Sequence, residues 1–336
     1  MIATSPFALA TCQPGMERAL KAEVARLRPD LHPGFQRPGL VTFKATSSPF
    51  RPDEAPATTF ARLWAASAGP CLTADAVLAT AADIGTVRLF LSARDVSPAD
   101  DLPPAVRAAV QHELSGWERA LRPAFTGGPI KEGELVLDVL AWPGEAPVVG
   151  WHRHGPGRHA EPGGAIPVDV PDGTPSRGYR KLAEALRTFR PAIKPGDQVL
   201  ELGSAPGGST RAWLDAGCRV VAVDPLPLHA DLRGAAGLWP IASRVGEVAI
   251  ESLPAGLKWV SCDAGLSADD LLRALARLKP ALGGVQGWII MLPVADDAAA
   301  KRLPATLKKL KELGASRVFA RQLPSNRGDV VVFASR

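Results

Sequence analysis

The run Val199-Leu200-Glu201-Leu202-Gly203-Ser204-Ala205-Pro206-Gly207-Gly208-Ser209-Thr210 holds the densest set of chemically suggestive residues in this 336-residue chain. A short apolar stretch enters a glycine-rich turn and leaves it as a helix. Without Cβ atoms at Gly203, Gly207 and Gly208, the backbone can bend sharply and let a ligand lie against it. The next helix directs free N–H groups into the same space. This is the form of a nucleotide-type cofactor loop, with Glu201, Ser204, Ala205, Pro206 and Ser209 beside the ligand. The spacing is G-x-x-P-G-G, whereas dinucleotide folds use G-x-G-x-x-G, and Ser204 stands where a second glycine would approach a pyrophosphate. The next apolar run, Cys218 to Val223, closes on Asp224. In a βαβ unit that acid ends beside the first strand, where it can accept hydrogen bonds from a ribose diol. Strand, glycine loop, helix, strand and terminal acid suit S-adenosylmethionine as well as NAD; the loop spacing favours a cofactor other than a dinucleotide.

Two further residues belong near the same crevice. Asp263 follows the apolar strand Trp259-Val260-Ser261-Cys262, so its carboxylate falls at a strand end, although a helix or turn cap is an equally good use of an Asp there. Lys181 lies in Pro175-Ser176-Arg177-Gly178-Tyr179-Arg180-Lys181-Leu182, on the helix that leads into the first strand. A solvated lysine is the ordinary reading of such a position.

The elements that must position these groups form a regular series after residue 175. Helices are expected near 178–189, 208–216, 268–279 and 298–313, and strands at 198–202, 219–223, 258–262, 287–292, 316–321 and 329–334. Such alternation predicts an α/β doubly wound, mostly parallel sheet with an antiparallel finish over 175–336. Residues 1–150 lack strict βα alternation. They show strands at Phe7–Cys12, Leu40–Phe43, Val87–Leu91 and Leu135–Leu140, with helices near 16–27 and 104–121. This describes an α+β region. Residues 44–60, with three prolines, read as a surface loop. Residues 151–174 are rich in Gly, Pro and His and read as a connector.

A hydrophobic content of 46% indicates a globular protein, and the length is ample for two cores. No run is apolar enough to span a bilayer, and Met1 to Pro6 lack the charged start of a signal peptide, so a cytoplasmic protein is expected. Cys12, Cys71, Cys218 and Cys262 have no C-x-x-C spacing, which argues against a zinc site or a disulfide framework. The formal charge of +5 permits a polyanionic partner without requiring one.

These residues resemble the RNA ribose 2′-O-methyltransferases of the FtsJ type, and within them the large-subunit rRNA methyltransferase M group. Ser176-Arg177-Gly178-Tyr179-Arg180-Lys181-Leu182 is similar to that family's S-R-x-x-x-K-L, and the glycine loop to its D-L-G-x-x-P-G-G. The likeness continues through Trp259 to Asp263 and Ala320 to Leu323. It extends more weakly to Phe7–Leu27 and to Phe60-Ala61-Arg62-Leu63-Trp64. The resemblance implies a Rossmann-like methyltransferase domain preceded by a THUMP-like, ferredoxin-like RNA-binding region. It also implies S-adenosylmethionine as cofactor and large-subunit rRNA or a precursor as partner, with no metal and no membrane. The family sets Lys, Asp, Lys and Glu around the target ribose. Lys181 and Asp263 fall on the first two positions and Asp329 on the fourth, but the second lysine is replaced by Met291.

Met291 divides the expectations. The first is an S-adenosylmethionine-dependent 2′-O-methyltransferase in which Lys181 orients or deprotonates the hydroxyl with Asp263. The second is an RNA-binding, methyltransferase-like protein with weak or no turnover. A nicotinamide oxidoreductase is disfavoured by Pro206 and the missing dinucleotide spacing. Arg177, Arg180 and Arg187 around Lys181, and Lys301, Arg302 and Lys308 on the helix near 298–313, are the candidates for phosphate contacts. His152, Arg153, His154, Arg158 and His159 are a further possible set, without zinc spacing.

Overall fold

The computed structural model describes residues 3–86 and 88–336, so Val87 of the expected strand Val87–Leu91 lies outside the described residues. The chain forms two compact units, Met1–Ile166 and Pro167–Arg336.

The first unit contains β1 (Phe7–Thr11), α1 (Glu17–Leu27), β2 (Leu31–Arg37), β3 (Leu40–Ala45), β4 (Leu63–Pro70), α2 (Ala74–Ile84), β5 (Arg88–Ala93), α3 (Pro104–Leu121), β6 (Leu135–Trp142) and β7 (Glu145–Arg153). Its sheet runs β2-β3-β1-β4-β7-β6-β5. Neighbours are antiparallel except β5 and β6, which are parallel. Alternate apolar residues of β6 feed two cores. Leu140 joins Leu9, Leu40, Leu63 and Val148, while Leu137 and Val139 pack with Val77, Leu121 and Phe125 beneath α2 and α3.

Two expectations change here. The segment 151–174 is not a free connector over its whole length. Trp151–Arg153 complete β7, and the first unit continues to Ile166. His152 is buried at 1% exposure and paired through Nδ1 to Asp138 Oδ2 at 2.6 Å. Arg158 donates to the backbone carbonyls of Pro52, Glu54 and Trp64. Neither side chain is placed to meet a phosphate: His152 is taken up by the buried Asp138 carboxylate, and Arg158 fastens carbonyls that would otherwise be left unpaired. The proline-rich stretch 44–60 is likewise anchored. Phe50 is fully buried and pairs its backbone with Ser5, because an aromatic of that size is worth about 2 kcal/mol or more inside a core.

The second unit contains α4 (Gly178–Phe189), β8 (Gln198–Leu202), α5 (Gly208–Asp215), β9 (Arg219–Val223), β10 (Leu238–Ile241), β11 (Leu257–Cys262), α6 (Ala268–Leu278), β12 (Gly287–Pro293), α7 (Asp297–Glu312), β13 (Arg317–Arg321) and β14 (Asp329–Ser335). The strand order is β10-β9-β8-β11-β12-β14-β13. β10, β9, β8, β11 and β12 are parallel, and β14 runs antiparallel to both its neighbours. The alternation of strands and helices predicted this α/β arrangement. β10 was missed because it is four residues long, contains Pro240 and pairs only with β9; an edge is where a strand tolerates proline. The central strands are apolar on both faces, as a sheet covered on both sides requires. α6 shows the matching pattern from outside, burying Leu271, Ala274, Leu275 and Leu278 at helical spacing behind the Ser267 cap. The sense in which successive parallel strands are added to the sheet reverses at β8, which leads through α5 to β9 on one side and has β11 on the other. That switch opens a crevice at the carboxyl ends of β8 and β11.

Candidate active site

Gly203 leaves β8 with φ of 81° and donates its N–H to the Val223 carbonyl at 2.9 Å. A Cβ at this position would lie 2.4 Å from Ala264 Cα, so only glycine lets the turn pass the end of β11. Gly208 opens α5 where a Cβ would come within 2.3 Å of Ser176 Oγ, which allows α5 to lie close against the start of α4. Asp224 then fixes the loop. Its Oδ2 accepts from Ala205 N at 3.1 Å and its Oδ1 from Leu226 N at 2.8 Å. Beneath the loop, Thr210 Oγ1 donates to Glu201 Oε2 at 2.6 Å. Burial pushes the Glu201 carboxyl up to about 8; Thr210 opposes this and the nearby Asp263 and Asp224 charges add to it. Glu201 Oε1 and Ser204 Oγ are buried without a hydrogen-bond partner among the described residues. At Gly203 and Asp224 opens a cleft of about 580 Å³, lined also by Pro225, Arg244, Glu247 and Ala264 among others.

Beside this cradle the structure gathers three charged side chains from three elements. Lys181, in the first turn of α4, places Nζ 2.7 Å from Asp329 Oδ2 at the start of β14 and 3.5 Å from Asp263 Oδ2 after β11. Lys181 and Asp263 keep 20% and 27% of their side-chain surface, so a substrate atom can reach them, while Asp329 keeps 11%. Burial alone would lower the Lys181 ammonium, but the Asp263 and Asp329 carboxylates outweigh it and hold the ammonium above its ordinary value. Burial raises the Asp263 carboxyl, with the Lys181 charge working against the rise. The cluster is therefore an ammonium held between two acids, built to present a proton donor rather than a free amine.

Met291 is buried at 5% exposure and packs in the core of the unit with Trp259, Ile289 and Val331. No second ammonium enters the cluster from β12. The polar neighbours come instead from the turn before β14. Asn326, fully buried, donates from Nδ2 to Asp329 Oδ1 at 3.2 Å. Glu184, one turn after Lys181 on α4, accepts from Ser325 N at 3.0 Å and from Ser325 Oγ at 2.5 Å. Asn326, Ser325 and Glu184 were missed in the sequence. The one available signal was an acid three residues from Lys181 on the face of α4 that also carries Leu182 and Ala185, a place that costs free energy unless the acid is paired.

The basic candidates divide by position. Arg177 is exposed just before α4 and Arg180 half-buried in its first turn, both at the Lys181 end. Arg187 is exposed in the last turn, roughly 9 Å further along the helix. Lys301 and Arg302 are exposed near the start of α7, whereas Lys308 lies roughly 16 Å along it, toward the end away from the carboxyl edge of β12. Among the described residues no group of three His, Cys, Asp or Glu side chains is arranged to hold a metal ion. No helix there is long and apolar enough to cross a membrane.

Residues 174–267 match the sequence model of the FtsJ-like methyltransferase family. That segment spans the start of α4, the glycine loop, Asp224 and Asp263. The ribosomal RNA large subunit methyltransferase M of Laribacter hongkongensis is 32% identical over 193 residues, 52% of this chain and 52% of that protein. The protein of the same name from Halorhodospira halophila is 28% identical over 184 residues, 53% and 52% of the two chains. The ribosomal RNA large subunit methyltransferase E of Thermoplasma acidophilum is 61% identical over a shorter stretch of 53 residues, 16% of this chain and 25% of that one. The chain thus spans about half the length of the methyltransferase M relatives it matches. Among solved structures, a 1,6-didemethyltoxoflavin-N1-methyltransferase of Burkholderia thailandensis aligns at a TM-score of 0.36 and 19% identity, covering 48% of this chain and 78% of that one.

Proposed function

We propose that the second unit is a Rossmann-like, S-adenosylmethionine-dependent methyltransferase acting on a ribose 2′-hydroxyl of RNA, with large-subunit rRNA or its precursor as substrate. One observation carries the reading: an ammonium, Lys181, is held between Asp263 and Asp329 beside a glycine cradle ending in Asp224. The residues present fit the cofactor. Gly203 and Gly208 let the loop close against Ala264 and Ser176, and Asp224, which lines the cleft with Gly203, suits a ribose diol. The unpartnered Glu201 Oε1 and Ser204 Oγ offer polar groups to a cationic ligand. Bound there, S-adenosylmethionine supplies an electrophilic methyl group on a sulfonium.

The chain's own residues then handle the hydroxyl. A ribose 2′-hydroxyl is a weak nucleophile until its proton leaves. The Lys181 ammonium donates to that oxygen and stabilises the negative charge growing on it, while Asp263, exposed enough to be reached, accepts the departing proton. Transfer would form the O–C bond at the expense of the sulfonium C–S bond, with the proton passing to the Asp263 carboxylate or to water. Keeping Lys181 protonated departs from the use of this lysine as a base, and the paired carboxylates are the physical reason. Arg177, Arg180, Lys301 and Arg302 are the residues proposed to hold phosphates near the crevice. We assign the first unit, a mixed sheet covered by helices and weakly similar to the family's N-terminal half, to a THUMP-like RNA-binding role. An rRNA substrate would place the protein in the cytoplasm.

The test is transfer of labelled methyl from S-adenosylmethionine to rRNA isolated from cells lacking this protein. Wild type should label it. Lys181→Met should slow transfer by about a thousandfold while calorimetric affinity for the cofactor stays within about threefold. Equal rates in wild type and Lys181→Met would remove Lys181 from the chemistry, and no labelling by wild type would overturn the enzyme reading.

A further inference from the structure

The turn between β13 and β14 is fastened at two points to the elements that carry the cluster. Ser325 binds Glu184 on α4, and Asn326 binds the first residue of β14, Asp329. The orientation of the Asn326 amide is fixed, because the Leu323 backbone N–H donates to Asn326 Oδ1 at 3.1 Å. Nδ2 must therefore face the other way. There it meets Asp329 Oδ1 at 3.2 Å, with Met291 Sδ at 3.8 Å. A thioether is a weak acceptor, so Asp329 Oδ1 is the partner that matters. Asp329 thus has its two oxygens divided, Oδ1 on a neutral amide and Oδ2 on the Lys181 ammonium. The amide occupies the side of Asp329 next to position 291, where the strand offers no cation.

Building on the methyltransferase reading, we propose that Asn326 is a positioning residue of the transfer reaction: its Nδ2–H group holds Asp329 in line with Lys181 where β12 supplies only a thioether. Asn326 does not touch the substrate. It acts through Asp329, keeping that carboxylate from swinging toward its second oxygen and releasing the ammonium.

The discriminating variant is Asn326→Asp. The new side chain has the same shape and retains the oxygen that accepts from Leu323 N, so the turn is preserved and only the donor is lost. The ionisable groups around position 326 are Asp329 on β14, Lys181 and Glu184 on α4, and Asp263 beyond Lys181; Arg327 lies exposed in the same turn. A buried carboxyl beside a carboxylate holds its proton to higher pH than usual. At low pH that proton restores a donor to Asp329. At high pH two carboxylates face each other and Asp329 is pushed away.

The ratio of transfer rates, Asn326→Asp over wild type, should therefore fall at least about tenfold between pH 6 and pH 9, with RNA KM changed by less than about threefold. Lys181 ammonium protons, followed by 15N NMR, should exchange at least about fivefold faster than wild type at high pH and close to wild type at low pH. A flat rate ratio and unchanged exchange would overturn the proposal and leave Asn326 as a turn residue only. If wild type transfers no methyl group to any RNA, the enzymatic reading fails by itself. The Lys181 exchange measurement then still decides whether Asn326 positions Asp329.

Discussion

The cofactor cradle and the lysine cluster lie at the same edge of one sheet, yet they are assembled in opposite ways. The cradle is local: Thr210 reaches Glu201 across nine residues and Ala205 reaches Asp224 across 19. The cluster is assembled from afar, with Lys181 meeting Asp263 across 82 residues and Asp329 across 148. A local device depends on backbone shape, which a single Cβ can destroy. A gathered device depends on the elements that bring its members together and tolerates changes of side chain if the charges still balance. Met291, at the position where the resemblance implies a lysine, and Asn326 facing Asp329 beside it would be the kind of change the second construction absorbs.

The sharpest way to break the local half is Gly203→Ala. The backbone is left-handed there and the added carbon meets Ala264 Cα at 2.4 Å, so the fold should lose at least about 3 kcal/mol, measurable by urea unfolding. A loss below about 1 kcal/mol would mean that the loop relaxes easily and that its shape is not what makes the cradle.

This half was legible in sequence because glycine, proline and a strand-end acid report backbone conformation directly. The strands and helices around it were legible for a related reason: α4, β8 and β9 have continuous apolar patterns with clear stops. Lys181, Asp263 and Asp329 were reached partly through resemblance, since nothing in periodicity says which strand end faces which helix. Asn326 and the Glu184–Ser325 pair stayed hidden because their role exists only once the β13–β14 turn has folded back on α4. His152 misled for the converse reason. Its glycine-rich neighbourhood looked exposed, whereas Asp138 on the adjacent strand buries it.

Glu201→Gln tests whether the two halves are electrostatically coupled, with an effect of up to a few kcal/mol. The Glu201 carboxyl stands at about 8 when folded against an ordinary 4.5, so the native state holds its proton more tightly than the unfolded chain. The stability this contributes is fully present below about 4.5 and is lost as pH rises through about 8. Thermal unfolding of wild type should therefore show a decline across that window that Glu201→Gln lacks. Matching pH profiles would show that the carboxyl is already ionised in the native protein.

Asp224→Asn should have a smaller effect, confined to the cradle. Weakening one charged hydrogen-bond acceptor should raise the cofactor Kd by about tenfold to a hundredfold in calorimetry, with the transfer rate at saturating cofactor close to wild type. A fall in the saturated rate equal to that of Lys181→Met would mean that cradle and cluster cannot be separated.

The most direct measurement locates the transferred methyl group. rRNA from cells lacking this protein is labelled by wild type, digested with alkali and resolved by mass spectrometry. A methyl on a 2′-oxygen blocks alkaline cleavage at that linkage, so the label should appear in an alkali-resistant dinucleotide, and Lys181→Met should remove it. Label released in mononucleotides, as a base methyl would be, would contradict the assignment of Lys181, Asp263 and Asp329 to a ribose hydroxyl.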